Sequence, residues 1–426
     1  MYESQLLAAK VLEKLLTGIN LDKSFDAVFN REKSNNLKIN ESQIKALTYG
    51  TVRFLGQSKF KIEKLARNKI DNKLIESLLC VVFYQLSQEK FNDFTIVDQA
   101  VNAAKKIDHR KGNFVNAILR NYLRKKIQLN EEIIQNHAAT YSYQDWWVQK
   151  IKKEFPSNWE QVLNIGNNHP PLTLRINKRK ISKEKYTKIL EKNNIEYQVI
   201  SEVTLILKNP INVNEIPGFS GGYFSVQDYG AQLAAGLLDL KKGHKVLDAC
   251  AAPGGKTCHM LESEDINLTA LEVDKKRKDK ITDNLKRLDL CANVINDSLS
   301  ENNSWWKGEL FDRILLDVPC SASGIVRRHV DIKWLRQPGD LKKFSETQYD
   351  LLRNAWRMLA DRGKLLYVTC SIFEDENNDV IDKFKKVNSN ATEIEITLPS
   401  NIEHQKNQLL PSEIHDGLFY ALFEKK

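Results

Sequence analysis

A chain of 426 residues, 42% of them hydrophobic, carries too much apolar mass for one domain, because single cores stop growing at about 250–300 residues. No apolar run approaches the ~20 residues that span a bilayer, the first residues lack a basic leader with a cleavage site, and six cysteines without CxxC spacing argue against disulfide staples or a structural zinc site. Two or three domains, free thiols, no metal and a soluble, cytoplasmic setting are therefore expected.

The net charge of +9 is uneven: residues 1–140 hold 23 basic side chains against 15 acidic ones, a net of +8, and the remainder is nearly neutral. A basic domain joined to a neutral one fits attraction to a polyanion such as RNA, and simple solubility explains it equally well. Within this basic region the apolar residues recur at helical spacing. Ile75, Leu78, Leu79, Val82, Phe83 and Leu86 share one face, as do Val97, Ala100, Val101 and Ala104, and then Phe114, Val115, Ile118, Leu119, Tyr122 and Leu123. An all-helical bundle over 1–140 is expected.

Residues 141–165 continue as helix until "GNNHPPLTLRIN" breaks it with a glycine and two prolines. A strand at 172–177, a helix at 182–193, a strand at 203–208 and the turn-rich "IPGFSGGYFSVQD" follow, so 141–232 reads as linker helices and a small α+β extension. From 233 to 426 the pattern is strand then helix, repeated. The apolar runs "HKVLDAC", "NLTALEVD", "ANVIND", "FDRILLDVP" and "GKLLYVTC" predict a parallel sheet covered on both faces, with a core helix from about Asp340 to Leu359. Ligands of such open sheets bind beyond the carboxyl ends of the strands.

Three strand ends point to a nucleoside cofactor. "DACAAPGGKT" follows the first strand with small residues and two glycines, which let backbone approach a ligand, though the GxGxxG spacing of a dinucleotide site is absent. Glu272 ends the second strand where an acid can accept both hydroxyls of a ribose, while Asp274 is placed to cap the next helix. Asp297 ends the third, in reach of a base edge. Any one of these acids alone would be read as a cap or a solvated end.

Two cysteines carry the chemistry. Cys80, Cys250, Cys258 and Cys291 read as inert packing, but Cys320 and Cys370 each stand just past a strand end, each followed by serine. Carbon 5 of cytosine is too weak a nucleophile to take a methyl group unaided. A thiolate added to carbon 6 makes carbon 5 an enamine that attacks an electrophilic methyl, and a second acid–base group beside the adduct helps remove the carbon 5 proton and release the enzyme.

The segments "VLDACAAPGGKT", "FDRILLDVPCSASGIVRRHVDIKWLR", "LLYVTCSIFEDEN" and "HDGLFYALF" resemble the RsmB/NOP family of RNA 5-methylcytosine methyltransferases, which use S-adenosylmethionine. "FTIVDQAVNAAKKIDHRKGNFVNAILRNYLR" resembles the RNA-binding NusB helical domain. The resemblance implies a multidomain chain: an all-α NusB-like bundle plus an α/β Rossmann-like S-adenosylmethionine-dependent methyltransferase with the small α+β extension. It implies an enzyme that methylates one specific cytosine of small-subunit (16S) rRNA, naked or in an early particle, and a monomer without an obligate protein partner. By position it makes Cys370 the nucleophile and Cys320 the residue that assists release. It assigns the cofactor to Cys250, Ala251, Ala252, Pro253, Gly254, Gly255 and Lys256, with Glu272 at the ribose, Asp297 near the adenine and Asp317 between cofactor and target base. Glu272 departs from the aspartate often found there, which puts only fine geometry in question.

Arg327, Arg328 and His329 directly follow the Pro-Cys loop and are expected to meet phosphates beside the target base, with Lys333 and Trp334 bracing a flipped nucleotide; a solvated loop is the plainer reading. The run "DKKRKDK" at 274–280 reads as an exposed helix face. Three rivals remain: a tRNA cytosine-5 methyltransferase, a non-catalytic RNA-binding factor, and an exocyclic-amine methyltransferase. The last would carry an aromatic residue after Asp-Pro-Pro, where Val318, Pro319 and Cys320 stand.

Overall fold

A computed structural model describes residues 2–34, 40–300 and 304–426. The chain forms two compact units, one of residues up to 168 together with 326–337, the other of 169–325 and 338–426. The first break falls in the glycine- and proline-rich stretch that ends the helical pattern, and the helices of 141–165 join the bundle.

The first unit is helical. Asparagine opens four of its helices, Glu41–Arg53, Lys73–Ser87, Asp93–Ile107 and His137–Tyr141, each time accepting a hydrogen bond from an amide of the first turn. The predicted face of Lys73–Ser87 is the centre of the core: Ile75, Leu78, Leu79, Val82, Phe83 and Leu86 are all fully buried. Ala100, Ala104, Val115, Leu119 and Tyr122 join it. Phe114 does not, because it sits in the first turn of Lys111–Ile134 with its ring beneath the Lys111 ammonium, 37% exposed. Residues 141–165 are interrupted helix: Ser142 turns left-handed at φ 54°, and Phe155 with the following proline separates Asp145–Glu154 from Trp159–Ile165. Val330 and the short helix Ile332–Leu335 complete this unit, with Val330 in its core.

The second unit opens with a four-stranded antiparallel sheet, β1 (Leu172–Ile176), β2 (Tyr197–Val199), β3 (Thr204–Leu207) and β4 (Phe224–Val226), in the order β2-β3-β1-β4. Helix Lys183–Lys192 buries Tyr186 and Leu190 among Leu174, Leu205 and Phe224. The larger sheet holds β5 (Lys245–Asp248), β6 (Asn267–Leu271), β7 (Asn293–Ile295), β8 (Phe311–Asp317), β9 (Leu359–Thr369), β10 (Ala391–Ile394), β11 (His404–Gln405), β12 (Gln408–Leu409) and β13 (Leu418–Lys425). Five strands in the order β7-β6-β5-β8-β9 are parallel, as their apolar runs predict, and β13 then adds antiparallel to β9 and carries β12 and β10.

Side chains alternate across this sheet, so it has two cores. Val246, Leu268, Leu315 and Leu366 face Cys258, Met260, Ile281 and Leu285 of helices Gly255–Ser263 and Lys275–Leu288. Leu247, Ile314, Leu316 and Tyr367 face Leu352, Ala355, Trp356 and Phe384 of helices Pro338–Met358 and Asn378–Val387. Arg175 on β1 fastens the small sheet to helix Gly255–Ser263, which covers the large one. Its guanidinium is fully buried, pairs with Glu262 at 2.9 Å and donates to the Gly255 carbonyl at 2.8 Å.

Candidate active site

β8 and β9 are neighbouring parallel strands in which Asp317 stands opposite Val368, so the residues that follow them emerge side by side at the carboxyl edge. Cys370 comes directly after β9, and Cys320 three residues after Asp317. The two sulfurs are 3.2 Å apart. The loop after β8 is joined to the end of β9 by the Gly324 amide, which donates to the Cys370 carbonyl at 2.8 Å, and to the start of β13 by the Gly417 amide, which donates to the Gly324 carbonyl at 2.9 Å. A Cβ on Gly324 would overlap the Gly417 carbonyl, so this approach requires glycine.

Both thiols line a cavity of about 410 Å³ together with Cys250, Ala252, Glu272, Arg277, Asp297 and Asp317. The expected thiols, cofactor acids and part of the expected cofactor loop thus share one wall. Cys320 is buried while Cys370 is partly exposed. The hydrogen bond with the Cys370 sulfur, and then burial, push the Cys320 thiol well above the ordinary cysteine value. Cys320 is accordingly the partner that keeps its proton.

Asp317 meets Lys256 at 2.6 Å. Burial opposes the charge on Lys256, but the adjacent carboxylate outweighs it and raises the ammonium's pKa. Sequence reading placed Lys256 in the cofactor loop and missed this pairing across 61 positions, which no local pattern encodes. Beneath it, Asp248 is buried at the end of β5, accepts from the Thr257 hydroxyl at 2.6 Å, and has its carboxyl pushed up to about 7 by burial.

The predicted cofactor loop makes a tight turn, with the Gly254 amide donating to the Ala251 carbonyl at 2.8 Å. Gly254 has φ +96°, which favours glycine, and it starts helix Gly255–Ser263. Glu272 accepts from the Ala252 amide at 3.3 Å and the Asp274 amide at 3.0 Å, so its carboxylate is held at the cavity wall with acceptor capacity left over. Asp274 caps helix Lys275–Leu288 as expected. Asp297 accepts from the Ser298 amide and the Ser304 hydroxyl. Of the predicted cofactor loop, Cys250 and Ala252 line the cavity, and with the acids after β6 and β7 on the same cavity this fits a nucleoside bearing ribose hydroxyls and an amine.

Two groups of residues depart from expectation. Cys80 and Cys258 are packed, their thiols pushed up to about 12 by burial, while Cys250 packs against the core of the large sheet and also lines the cavity, and Cys291 is exposed rather than packed. The basic cluster after Cys320 is largely spent on structure inside the first unit. Lys333 is fully buried and donates to the Arg53 carbonyl at 2.7 Å and to Asn167 Oδ1 at 2.6 Å. Burial, and then Arg53, push its pKa well below the lysine range. Arg327 is 2% exposed, and Trp334 donates its indole N–H to the Val52 carbonyl at 2.8 Å. Arg327 and Lys333 are thus buried within the first unit, against the expectation that they are exposed to a nucleic acid, and Trp334 is half-buried. His329 is exposed and Arg328 half-buried.

The same chain matches the family model for 16S rRNA methyltransferase RsmB/F over residues 235–424, the RsmF/B-like ferredoxin-like domain over 143–214 and the NusB family over 2–124. It is 39% identical over 406 residues to the probable ribosomal RNA small subunit methyltransferase B of Coxiella burnetii, covering 91% of this chain and 93% of that protein. It is 35% identical over 390 residues to ribosomal RNA small subunit methyltransferase B of Vibrio vulnificus, covering 90% and 91%. The crystal structure of PH0851 shares the fold, with a TM-score of 0.79 over 99% of both chains at 23% identity. With relatives this similar over nearly its whole length, the chain belongs to the RsmB/F family and is an S-adenosylmethionine-dependent methyltransferase of small-subunit ribosomal RNA.

Proposed function

We propose that the chain methylates carbon 5 of one cytosine in 16S rRNA through a covalent adduct on Cys370. The observation that carries this reading is the pair of free thiols, 3.2 Å apart, lining the same cavity as Asp317 and Glu272. S-adenosylmethionine, when bound, supplies an electrophilic methyl group. Glu272 would hold its ribose, Asp297 its adenine edge, and the backbone of 250–256 would pass beneath it.

The chain's own groups divide the work. Cys370 attacks carbon 6 as the thiolate, its proton having passed to solvent, while Cys320, whose thiol is pushed up, keeps an S–H within reach of the Cys370 sulfur at 3.2 Å. Asp317, fixed by Lys256, binds the N3 and amino edge of the ring and favours addition by stabilising a proton there. After carbon 5 has taken the methyl, its proton passes to solvent, the freed electron pair re-forms the carbon 5–carbon 6 double bond, and the carbon 6–sulfur pair leaves with Cys370 as the thiolate. Cys320 donates its S–H to the departing Cys370 sulfur, which makes that thiolate a better leaving group. The basic first unit adds sequence-independent affinity for RNA phosphates.

The test is transfer of a labelled methyl group to small-subunit rRNA followed by digestion to nucleosides. All label is expected in 5-methylcytidine. Label in an amino-methylated nucleoside, or transfer to tRNA in preference to rRNA, would overturn the reading.

A further inference from the structure

Behind the two thiols lies a carboxylate to which nothing so far assigns a task. Glu376 follows Cys370 by six residues, in the single turn Glu374–Glu376, and is fully buried. Its Oε1 accepts from the Ser321 amide at 2.7 Å and from the Gln348 amide group at 3.0 Å, and its Oε2 accepts from the Ser371 hydroxyl at 2.6 Å. Ser321 and Ser371 are the residues directly after the two cysteines. Gln348 also donates to the Pro319 carbonyl at 3.0 Å, so the carboxylate grips the Cys320 loop on both sides of its sulfur.

A hydroxyl cluster repeats the connection. Ser371 Oγ lies 3.2 Å from Ser321 Oγ and 3.0 Å from Ser323 Oγ, and Ser323 Oγ accepts from the Ile372 amide at 2.9 Å. A buried carboxylate is tolerated only while its donors stay in place, because losing one leaves charge uncompensated in a dry site. The Glu376 donors come from both cysteine loops and from the glutamine that braces one of them, so moving either loop alone breaks a bond to the shared acid. We propose that Glu376 is a positioning residue that holds the Cys320 and Cys370 loops in register, keeping the two sulfurs within reach of each other through attack and release. The inference rests on the roles proposed above for the two thiols. The charge of Glu376 also contributes, after the Cys370 hydrogen bond and burial, to keeping the Cys320 thiol protonated.

The test uses the full chain with Glu376→Ala and Glu376→Gln and two readouts. The first is the rate at which diamide, a thiol oxidant, closes a Cys320–Cys370 disulfide, followed by mass spectrometry of the linked peptides; it needs no RNA. The second is the ratio of covalent protein–RNA adduct on a denaturing gel to methylated product. Removing a charged hydrogen-bond hub is worth about a tenfold change. Glu376→Ala should slow closure and raise the ratio by about that factor. Glu376→Gln, which keeps Oε1 for Ser321 and Gln348, should largely restore both. A purely structural loss would lower adduct and product together and leave their ratio unchanged. If Glu376→Ala fails to fold, Ser371→Ala removes one donor only and must move both readouts the same way by about threefold. Closure at the native rate, or slower closure with an unchanged ratio, overturns the proposal. If the native chain forms no adduct with RNA, the covalent reading has failed, and the closure rate alone then decides whether Glu376 sets the register.

Discussion

Residues 317–325 and 326–337 are consecutive in sequence, and both bury polar and charged groups, yet they differ in what those groups are joined to. In 326–337 Lys333, Trp334 and Asp331 are joined to main-chain groups and to the Asn167 amide, none of them titratable. Lys333 donates to Arg53 and Asn167, Trp334 to Val52, and the Asp331 carboxylate accepts the Leu21 amide. In 317–325 and the facing strand end, reactive side chains are joined to one another: Cys320 to Cys370 and Asp317 to Lys256, with Cys370 and Asp317 still facing a cavity. Burial alone therefore does not mark a functional group. A buried polar group joined only to main-chain groups and non-titratable side chains is holding the chain together, and one paired with another titratable side chain beside open space is available for chemistry.

The sharpest break of this comparison is at Cys370. Cys370→Ala should reduce methyl transfer by roughly 10⁴-fold or more while calorimetry still shows cofactor binding, because in the proposed mechanism Cys370 makes the protein's covalent bond to the base. Cys320→Ala should instead accumulate a protein–RNA adduct visible on a denaturing gel. If both variants methylate at the native rate, the contrast between the two regions has no chemical meaning. Next in size is Asp317→Asn, expected to lower kcat by about 10²-fold to 10³-fold. Because Asp317 and Lys256 act as one pair, Asp317→Asn combined with Lys256→Met should be little worse than the more damaging single change, and full multiplication of the two effects would separate their roles.

Much of the second unit was legible because its strands are buried on both faces and stand out as apolar runs; each of the five predicted parallel strands is present. The thiols could be singled out because strand ends in such sheets gather at one edge. The antiparallel edge β10 to β13 was not read as strand: β11 and β12 have two residues each, too few for any period. Lys333 was misread because a basic run with a tryptophan looks solvated, whereas its burial is decided by Arg53 and Asn167, 280 and 166 positions away. Glu376 was equally hidden. It lies within a quoted motif, but its donors Ser321 and Gln348 come from other elements.

The comparison also has a pH signature. The Asp248 carboxyl binds its proton more tightly in the folded chain, with a pKa near 7 against an ordinary 3.8. Its contribution to stability is therefore complete below about pH 4 and lost as pH rises through about 7. Asp248→Asn removes that dependence, so the variant should gain on the parent by up to a few kcal/mol between pH 4 and 8, read as a widening difference in Tm. A Tm difference that stays constant over this range would mean that burial does not control the Asp248 proton.

The smallest expected effect tests the other region. If Lys333 belongs to the internal frame of the first unit, Lys333→Met should lower Tm, since it strips the donor from the Arg53 carbonyl and Asn167, while leaving the salt dependence of RNA binding unchanged. A lysine that neutralises a phosphate contributes about one unit to the slope of log Kd against log salt, and a fully buried one contributes none. The exposed His329 is the control within the same segment, because its ring reaches solvent and His329→Ala should weaken RNA binding if that ring meets phosphate. A slope that falls by about one in Lys333→Met would show that the segment opens when RNA binds, and the distinction between frame and chemistry would then hold only for the free protein.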